Sequence, residues 1–238
     1  MLGRFLEVSI ATDDIIASVQ FYERLGFTQL TANDTWAHPY GVLSDGRLCI
    51  GLHQRPAHPA ILSFVYPELA AHARQLRAAG FAEQSSQLGE GQFHQLQLRD
   101  PADQSITLLE ARTFSPARSR QQESLCGWFS AYSMPALGND GVRDFWERAG
   151  FVALAAQDTP FTHLPLTGDH LSLALHATRT MAEPMLVFVD PDMPSKLAAL
   201  ENAGIARSSR LPRGLDAREH ALLEAPEGTL LLLLNAEA

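Results

Sequence analysis

The feature of this 238-residue sequence that most constrains its fold is a heptapeptide that occurs twice. FYERLGF occupies residues 21–27 and FWERAGF occupies residues 145–151, so the second copy begins 124 residues after the first. A repeat at so long a period indicates two related structural units in one chain, because each copy then has room for a core of its own. The architecture therefore follows from the repeat.

Three further segments recur in the same order at offsets of 123 to 125 residues, and Ser9 recurs as Ser133. This shared order favours a true internal repeat over a chance match. The recurring pairs are LCIGLH (48–53) with LSLALH (171–176), LRAAGF (76–81) with LENAGI (200–205), and RDPADQSITLLEA (99–111) with EAPEGTLLLLLNA (224–236).

The segment between the two copies has the composition of a linker. Residues 112–127 are polar, contain Pro116 and lack apolar periodicity. We therefore expect a first module at 1–111, a linker at 112–127 and a second module at 128–238.

Each copy has the pattern of a strand, a helix and three strands, followed by the same pattern again. In the first copy, residues 4–11 alternate as a half-buried strand does, Asp13 and Asp14 can cap the next helix, and Gly26 can end it. The aromatic residues of the heptapeptide share one helical stripe with Ser18 and Leu25, which favours packing in a core over binding a cofactor.

The charge of the chain limits its partners. The formal net charge is −9, from 27 acidic and 18 basic residues. This balance argues against binding to nucleic acid, which needs clustered Lys and Arg, and is compatible with a neutral or cationic small ligand.

The lack of targeting signals and the cysteine content of the sequence both predict a cytoplasmic location. The sequence shows no signal peptide and no apolar run long enough to span a membrane. Its two cysteines, Cys49 and Cys126, lack the spacing of a disulfide framework or a metal site. We expect a cytoplasmic protein that is a monomer or a homodimer.

The strand–helix–three-strand order, the FYERLGF heptapeptide and the turns RDPADQS and APEGT resemble the vicinal oxygen chelate superfamily. That superfamily includes glyoxalase I, extradiol dioxygenases, fosfomycin-resistance proteins and bleomycin-binding proteins. The resemblance covers the chain outside the linker. It implies an α+β fold in which tandem βαβββ units form curved, mostly antiparallel sheets around a pocket, with the helices outside.

The same resemblance implies a divalent metal held by His, Glu or Gln side chains on three strands. Of the corresponding positions only Glu7 could ligate such a metal well, so we expect no cofactor. The alternative is Zn, Mn or Fe bound by an unusual set, Glu7 with His53, His94 or Glu110. The corresponding positions are Glu7, Ile61 and Thr107 in the first module and Ala131, Met185 and Leu232 in the second.

Glu7 is the strongest single site candidate. It interrupts an otherwise apolar strand, and a buried carboxylate is costly unless it is paired or functional. We expect it to anchor a cationic group or to act as a general base; the alternative is an edge position open to solvent.

The other candidates are polar and aromatic side chains that could line a pocket or, equally, pack in a core. His53 and His176 are repeat partners, and shared ancestry explains their recurrence better than a function does. The candidate ligand-binding residues are Glu7, Ser9, Trp36, His38, Tyr40, His53, His94, Trp128, Tyr132, His163, His176 and His220, with Phe161 as a further candidate wall.

Three functions are consistent with these features. The leading one is a metal-independent protein that binds a drug or metabolite, resembling the bleomycin-resistance branch. The second is a metal-dependent lyase, isomerase or dioxygenase with non-standard ligands. The third is a degenerate regulatory or interaction module. Catalysis is left open by the sequence, and the expected partner is a small molecule.

Overall fold

The computed structural model of the chain describes residues 1–31, 36–56, 58–111 and 124–237. Most of the expected linker, 112–123, lies outside these residues, so the domain boundaries stay a prediction. The described first half forms eight strands and two helices: β1 (Arg4–Thr12), α1 (Ile15–Arg24), β2 (Thr28–Leu30), β3 (Tyr40–Ser44), β4 (Cys49–Gln54), β5 (Ile61–Tyr66), α2 (Leu69–Ala78), β6 (Glu83–Gln87), β7 (Gln95–Arg99) and β8 (Ser105–Glu110).

The second half repeats this order with one strand fewer among its described residues. Its elements are β9 (Trp128–Met134), α3 (Asp140–Arg148), β10 (Val152–Ala153), β11 (His163–Thr167), β12 (Ser172–His176), β13 (Met185–Asp190), α4 (Met193–Asn202), β14 (Ala221–Glu224) and β15 (Leu230–Asn235).

Each half builds one curved sheet. The strand orders are β2-β3-β4-β1-β5-β8-β7-β6 and β10-β11-β12-β9-β13-β15-β14. In the first sheet β1 pairs parallel with β4 and antiparallel with β5, which joins two βαβββ units through their first strands. The predicted α+β fold is confirmed. Across the described residues, no helix is both long enough and apolar enough to cross a membrane.

The second half departs from the predicted pattern after α4. Two described strands follow this helix instead of three, and residues 206–220 form turns where the first half has β6. Pro212 and Gly214 interrupt the extended backbone there. The segment places Leu211 and Leu215 against an apolar cluster of the second sheet.

The repeated heptapeptide connects the two halves. Its second aromatic residue, Tyr22 in one copy and Trp146 in the other, is fully buried, as predicted. Tyr22 OH donates to Glu227 Oε1 (2.7 Å), and Trp146 Nε1 donates to Asp100 Oδ2 (3.0 Å). Each helix thus bonds to the last turn of the opposite half. The predicted cap of α1 is also confirmed, since the Asp14 side chain accepts from the Ala17 N–H (3.0 Å).

The two sheets differ on the face turned away from the helices, which we call the inner face. In the second sheet an apolar cluster covers it, whereas in the first sheet its central residues are polar. The apolar cluster contains Met181, Met185, Val187, Val189, Leu222, Leu230, Leu232 and Leu234, with Phe161, Leu211, Leu215 and Ala236 packed against it.

Candidate functional site

Glu7 lies on the inner face of the first sheet, in its central strand. Phe5 and Glu7 pair with consecutive residues of β5, Phe64 and Ser63, so β1 carries a bulge at this point. Glu7 is only 2% exposed. Because β1 has a neighbour on each side, Glu7 is not at an edge open to solvent.

Two hydroxyl groups bind the carboxylate of Glu7. Ser9 Oγ donates to Oε1 (2.7 Å), and Tyr40 OH donates to Oε2 (2.5 Å). His53 Nε2 lies 3.4 Å from Oε1, and Ser63 Oγ lies 2.8 Å from Ser9 Oγ. These bonds compensate the cost of burying the carboxylate and hold it against the sheet.

Gly51 provides the space that the carboxylate occupies. It lies opposite Ser9 in the β1–β4 pair, and a Cβ built on it would overlap both oxygens of Glu7. Glycine in the middle of a strand often marks such a close approach. Glu7 and Gly51 therefore form one steric unit.

The second half serves as an internal comparison for this unit. Ala131 replaces Glu7, and Ala174 replaces Gly51 at the position opposite Ser133. The cross-strand row Glu7, Ser63, Thr107 and Gln97 of the first sheet becomes Ala131, Val187, Leu232 and Leu222 in the second. The polar row is thus specific to the first half.

An aromatic and histidine cluster adjoins Glu7. His38 Nε2 lies 3.0 Å from His53 Nδ1, and the His53 ring lies 4.6 Å from Tyr40 and 5.0 Å from Trp36, centroid to centroid. Burial lowers the pKa of His38, with a smaller contribution from His53. Burial raises the pKa of Tyr40, and the Glu7 charge adds to this effect. Tyr40 is therefore a hydrogen-bond donor at neutral pH.

A cavity of about 470 Å³ opens at the end of the inner face where β5 and β8 begin. Thr107 lines it and belongs to the same cross-strand row as Glu7 and Ser63. This volume is suitable for a small organic molecule. The other polar side chains of its lining are Arg55, His58, Gln84, Gln97, Arg99, Asp103 and Ser105.

The structure thus brings together six of the predicted site residues and places the other six elsewhere. His94 pairs with Glu110 (Nδ1 to Oε2, 2.7 Å), and this hydrogen bond raises the pKa of His94. Glu110 Oε2 also accepts from the N–H of Leu69 at the start of α2. The six that lie together are Glu7, Ser9, Trp36, His38, Tyr40 and His53.

The three histidines predicted in the second half have structural contacts. His176 lies between Ser133 Oγ (2.7 Å) and Met181 O (3.1 Å), and burial lowers its pKa to about 4, so it is neutral. His163 Nδ1 donates to the carbonyl of Phe161. His220 Nδ1 accepts from the backbone N–H of Asn235 (3.0 Å). Their bonds hold strand ends and turns in place.

Trp128 and Tyr132 lie between the two halves and outside the Glu7 cluster. The Arg47 guanidinium lies 3.4 Å from the centroid of Trp128, which is 40% exposed. Tyr132 OH donates to Gln104 Oε1 (2.9 Å), and the ring borders a smaller cavity of about 220 Å³. Both aromatic residues bind the other half of the chain because β9 faces it.

The strand pairing shows where the ligand positions implied by the resemblance lie. Ser63 lies opposite Glu7, and Ile61 lies opposite Ser9. Val187 lies opposite Ala131, and Met185 lies opposite Ser133. Within the described ranges, no three His, Cys, Asp or Glu side chains converge as metal ligands. The donors near Glu7 therefore do not fit a three-ligand metal site.

Sequence reasoning missed the residues that shape the cavity. Arg55 and His58 follow β4 in a short connection with no recognisable pattern, and Gln97 reads as an ordinary strand residue. Gly51 did carry a signal, because glycine within a strand indicates close approach of another group. Only the strand register shows that this group is Glu7.

No protein-family model matches the sequence, and no protein of curated function matches it. Solved structures do match. Catechol 2,3-dioxygenase has a TM-score of 0.64 at 14% identity, over 96% of this chain and 86% of that one. The 2,3-dioxygenase LapB from Pseudomonas sp. KL28 has 0.64 at 13%, over 96% and 90%. An Mn(II)-bound glyoxalase from Novosphingobium aromaticivorans has 0.63 at 15%, over 96% and 80%.

These likenesses confirm the predicted resemblance at the level of the fold. They also contradict the expectation that the protein uses no cofactor, because chains of this fold include a glyoxalase with bound Mn(II). Divalent metals accept imidazole, carboxylate, carbonyl and water ligands in several combinations, so a missing ligand pattern does not exclude a metal.

Proposed function

We propose that the protein binds a small organic molecule on the inner face of its first sheet. The observation that carries this proposal is the contrast between the halves: the same cross-strand row is polar in the first sheet and apolar in the second. Polar groups in a sheet interior cost stability, and the second sheet shows that the fold does not need them. A binding role explains why the first sheet has them beside a cavity.

In this proposal Glu7 contributes indirectly, by orienting the side chains that donate hydrogen bonds to it. Both of its oxygens accept from hydroxyl groups, so it orients Ser9 and Tyr40. A carboxylate accepts only, so His53 Nε2–H points to Glu7. His53 Nδ1 then accepts from His38 Nε2–H, which leaves His38 Nδ1 as a proton acceptor. This chain of hydrogen bonds fixes the orientation of the His53 and His38 rings.

The test replaces the polar row with its apolar counterpart. The double variant Ser63→Val, Thr107→Leu copies Val187 and Leu232 and leaves Glu7 unchanged. Wild type and variant are screened against neutral, cationic and anionic fragments, including catechol, by ligand-observed NMR. We expect fragments that bind the wild type and lose at least tenfold in affinity with the variant.

The matched control is Ser172→Val in the second half, a change on β12 outside the polar row that should leave binding intact. Circular dichroism checks that each variant is folded. The proposal fails when no fragment of any class binds the wild type, or when the fragments bind the double variant equally well.

The second candidate function is a metal-dependent enzyme. Glu7 Oε1 and His53 Nε2 lie 3.4 Å apart, close enough for two ligands of one ion, and an Mn(II)-bound glyoxalase shares the fold. The pair supplies two of the three protein ligands that a catalytic zinc site usually has.

Analysis of bound metal tests this second candidate function. Untagged protein is dialysed against Mn(II), desalted and analysed for bound manganese. A metal site predicts one ion per chain in the wild type and in the control Glu90→Gln, and a loss in Glu7→Gln. Equal manganese in the wild type and Glu7→Gln excludes Glu7 as a ligand.

A further inference from the structure

The cavity beside the polar row has two arginines in its lining although the chain as a whole is acidic. Arg55 and Arg99 both line it, together with the single carboxylate of Asp103. Arg99 Nη1 lies 3.4 Å from Asp103 Oδ1 at the exposed rim, so these two charges compensate each other. The remaining positive charge of the lining is that of Arg55.

Arg55 is held in place but incompletely bonded. Its backbone N–H donates to Thr12 O (3.2 Å), which fixes the residue at the end of β4. Its Nε is shielded from solvent and has no hydrogen-bond acceptor among the described residues. A shielded guanidinium donor without an acceptor costs free energy, so the Arg55 side chain is stabilised when it turns to meet an acceptor in the cavity.

The charged and titratable side chains near Arg55 do not pair with its guanidinium group, which leaves that group available to an anion. The charge of Glu7 is near enough to act on Arg55, but no hydrogen bond or ion pair joins the two side chains among the described residues. Burial lowers the pKa of His58, so this side chain is neutral at neutral pH and adds no charge.

We propose that the molecule bound in this cavity is an organic carboxylate and that Arg55 binds its charged group. The inference rests on the function proposed above, since it names the chemical class of the ligand for that site. Arg55 lines the cavity, and its planar guanidinium group matches the two oxygens of a carboxylate. Gln97, Ser105 and Thr107 provide hydrogen-bonding groups around it, and Ile61 an apolar contact for the rest of the ligand.

The experiment compares carboxylates with amides of the same shape. Benzoate is measured against benzamide, and acetate against acetamide, by ligand-observed NMR at low ionic strength. A charge-assisted hydrogen bond predicts that at least one carboxylate binds the wild type roughly 10- to 100-fold more tightly than its amide. Arg55→Gln should abolish this preference, and Arg55→Lys should keep part of it. The control Arg213→Gln removes one exposed positive charge from the second half and should leave the preference unchanged.

The outcomes separate this inference from the proposed function. Fragments that bind the polar row without a preference for carboxylates would overturn the inference and leave the function standing. A preference that persists in folded Arg55→Gln would overturn it in the same way. If Arg55→Gln fails to fold, the wild-type comparison decides alone: carboxylates that bind no better than their amides overturn the inference.

Discussion

A carboxylate can be buried in a sheet only where both its charge and its volume are accommodated, and Glu7 shows both requirements. Ser9 and Tyr40 provide the hydrogen bonds, and Gly51 provides the space. The corresponding residues of the second half are Ala131 and Ala174. With no carboxylate to bury, this half needs neither the hydrogen bonds nor the space.

This pairing predicts strong coupling between positions 7 and 51. Gly51→Ala should lower the free energy of unfolding by about 1–3 kcal/mol, because the added methyl group overlaps the Glu7 carboxylate. In a Glu7→Ala background the same change should cost much less, because the carboxylate is gone. Urea unfolding of the two single variants and the double variant measures the coupling.

Gly41→Ala is the matched control for this cycle. A Cβ at that position would meet only ordinary contacts, the nearest 3.8 Å away at Gln29. If the changes at positions 7 and 51 have additive effects on the free energy of unfolding, the two side chains are not sterically coupled.

Among the elements, the segment 206–220 distinguishes the second half from the first. In the first half the corresponding chain forms β6 at the edge of the sheet, whereas here it turns inward and packs Leu211 and Leu215 on the apolar cluster. The inner face of the second sheet is thereby a small hydrophobic core.

We therefore expect Leu211→Ala and Leu215→Ala each to lower the free energy of unfolding by about 1–2 kcal/mol, since each side chain is partly buried. Fragment binding at the first sheet should not change. Leu154→Ala, at a site that is 47% exposed, provides the comparison. A loss of stability no greater than in Leu154→Ala would show that the segment does not stabilise this core.

The sequence predicted most elements of the fold because periodicity is a local property. The alternation in β1, the cap at Asp14 and the buried aromatic residue at position 22 are all visible in a short window. The pairing of Glu7 with Ser63 was not predictable, since the register of two strands depends on contacts between distant segments and not on the apolar pattern within either strand. The position of Arg55 beside the cavity depends on packing between distant strands, which no local pattern records.

At the scale of the whole molecule, the two halves share one core. A single cluster of buried apolar residues contains side chains from both sheets, and Phe27 packs edge-on against Phe188. Tyr22 and Trp146 add a hydrogen bond from each half to the last turn of the other. The halves are thus structurally interdependent.

A shared core predicts that the chain unfolds in one step. Urea unfolding followed by far-ultraviolet circular dichroism and by tryptophan fluorescence should give coincident transitions. Tyr22→Phe should lower the free energy of unfolding by about 1–2 kcal/mol, because Glu227 loses one of its two hydroxyl donors. Tyr66→Phe, a change in a half-buried side chain, serves as the control. Two separated transitions would contradict the shared core.

The overlap between a Cβ at position 51 and the Glu7 carboxylate also restricts the history of the repeat. The two present states are glutamate with glycine in one half and alanine with alanine in the other. Glutamate beside alanine is the strained intermediate, at the cost predicted above for Gly51→Ala, so the route of single substitutions that avoids this cost passes through alanine beside glycine. On that route the acidic side chain is gained after the glycine is in place and lost before the glycine is replaced.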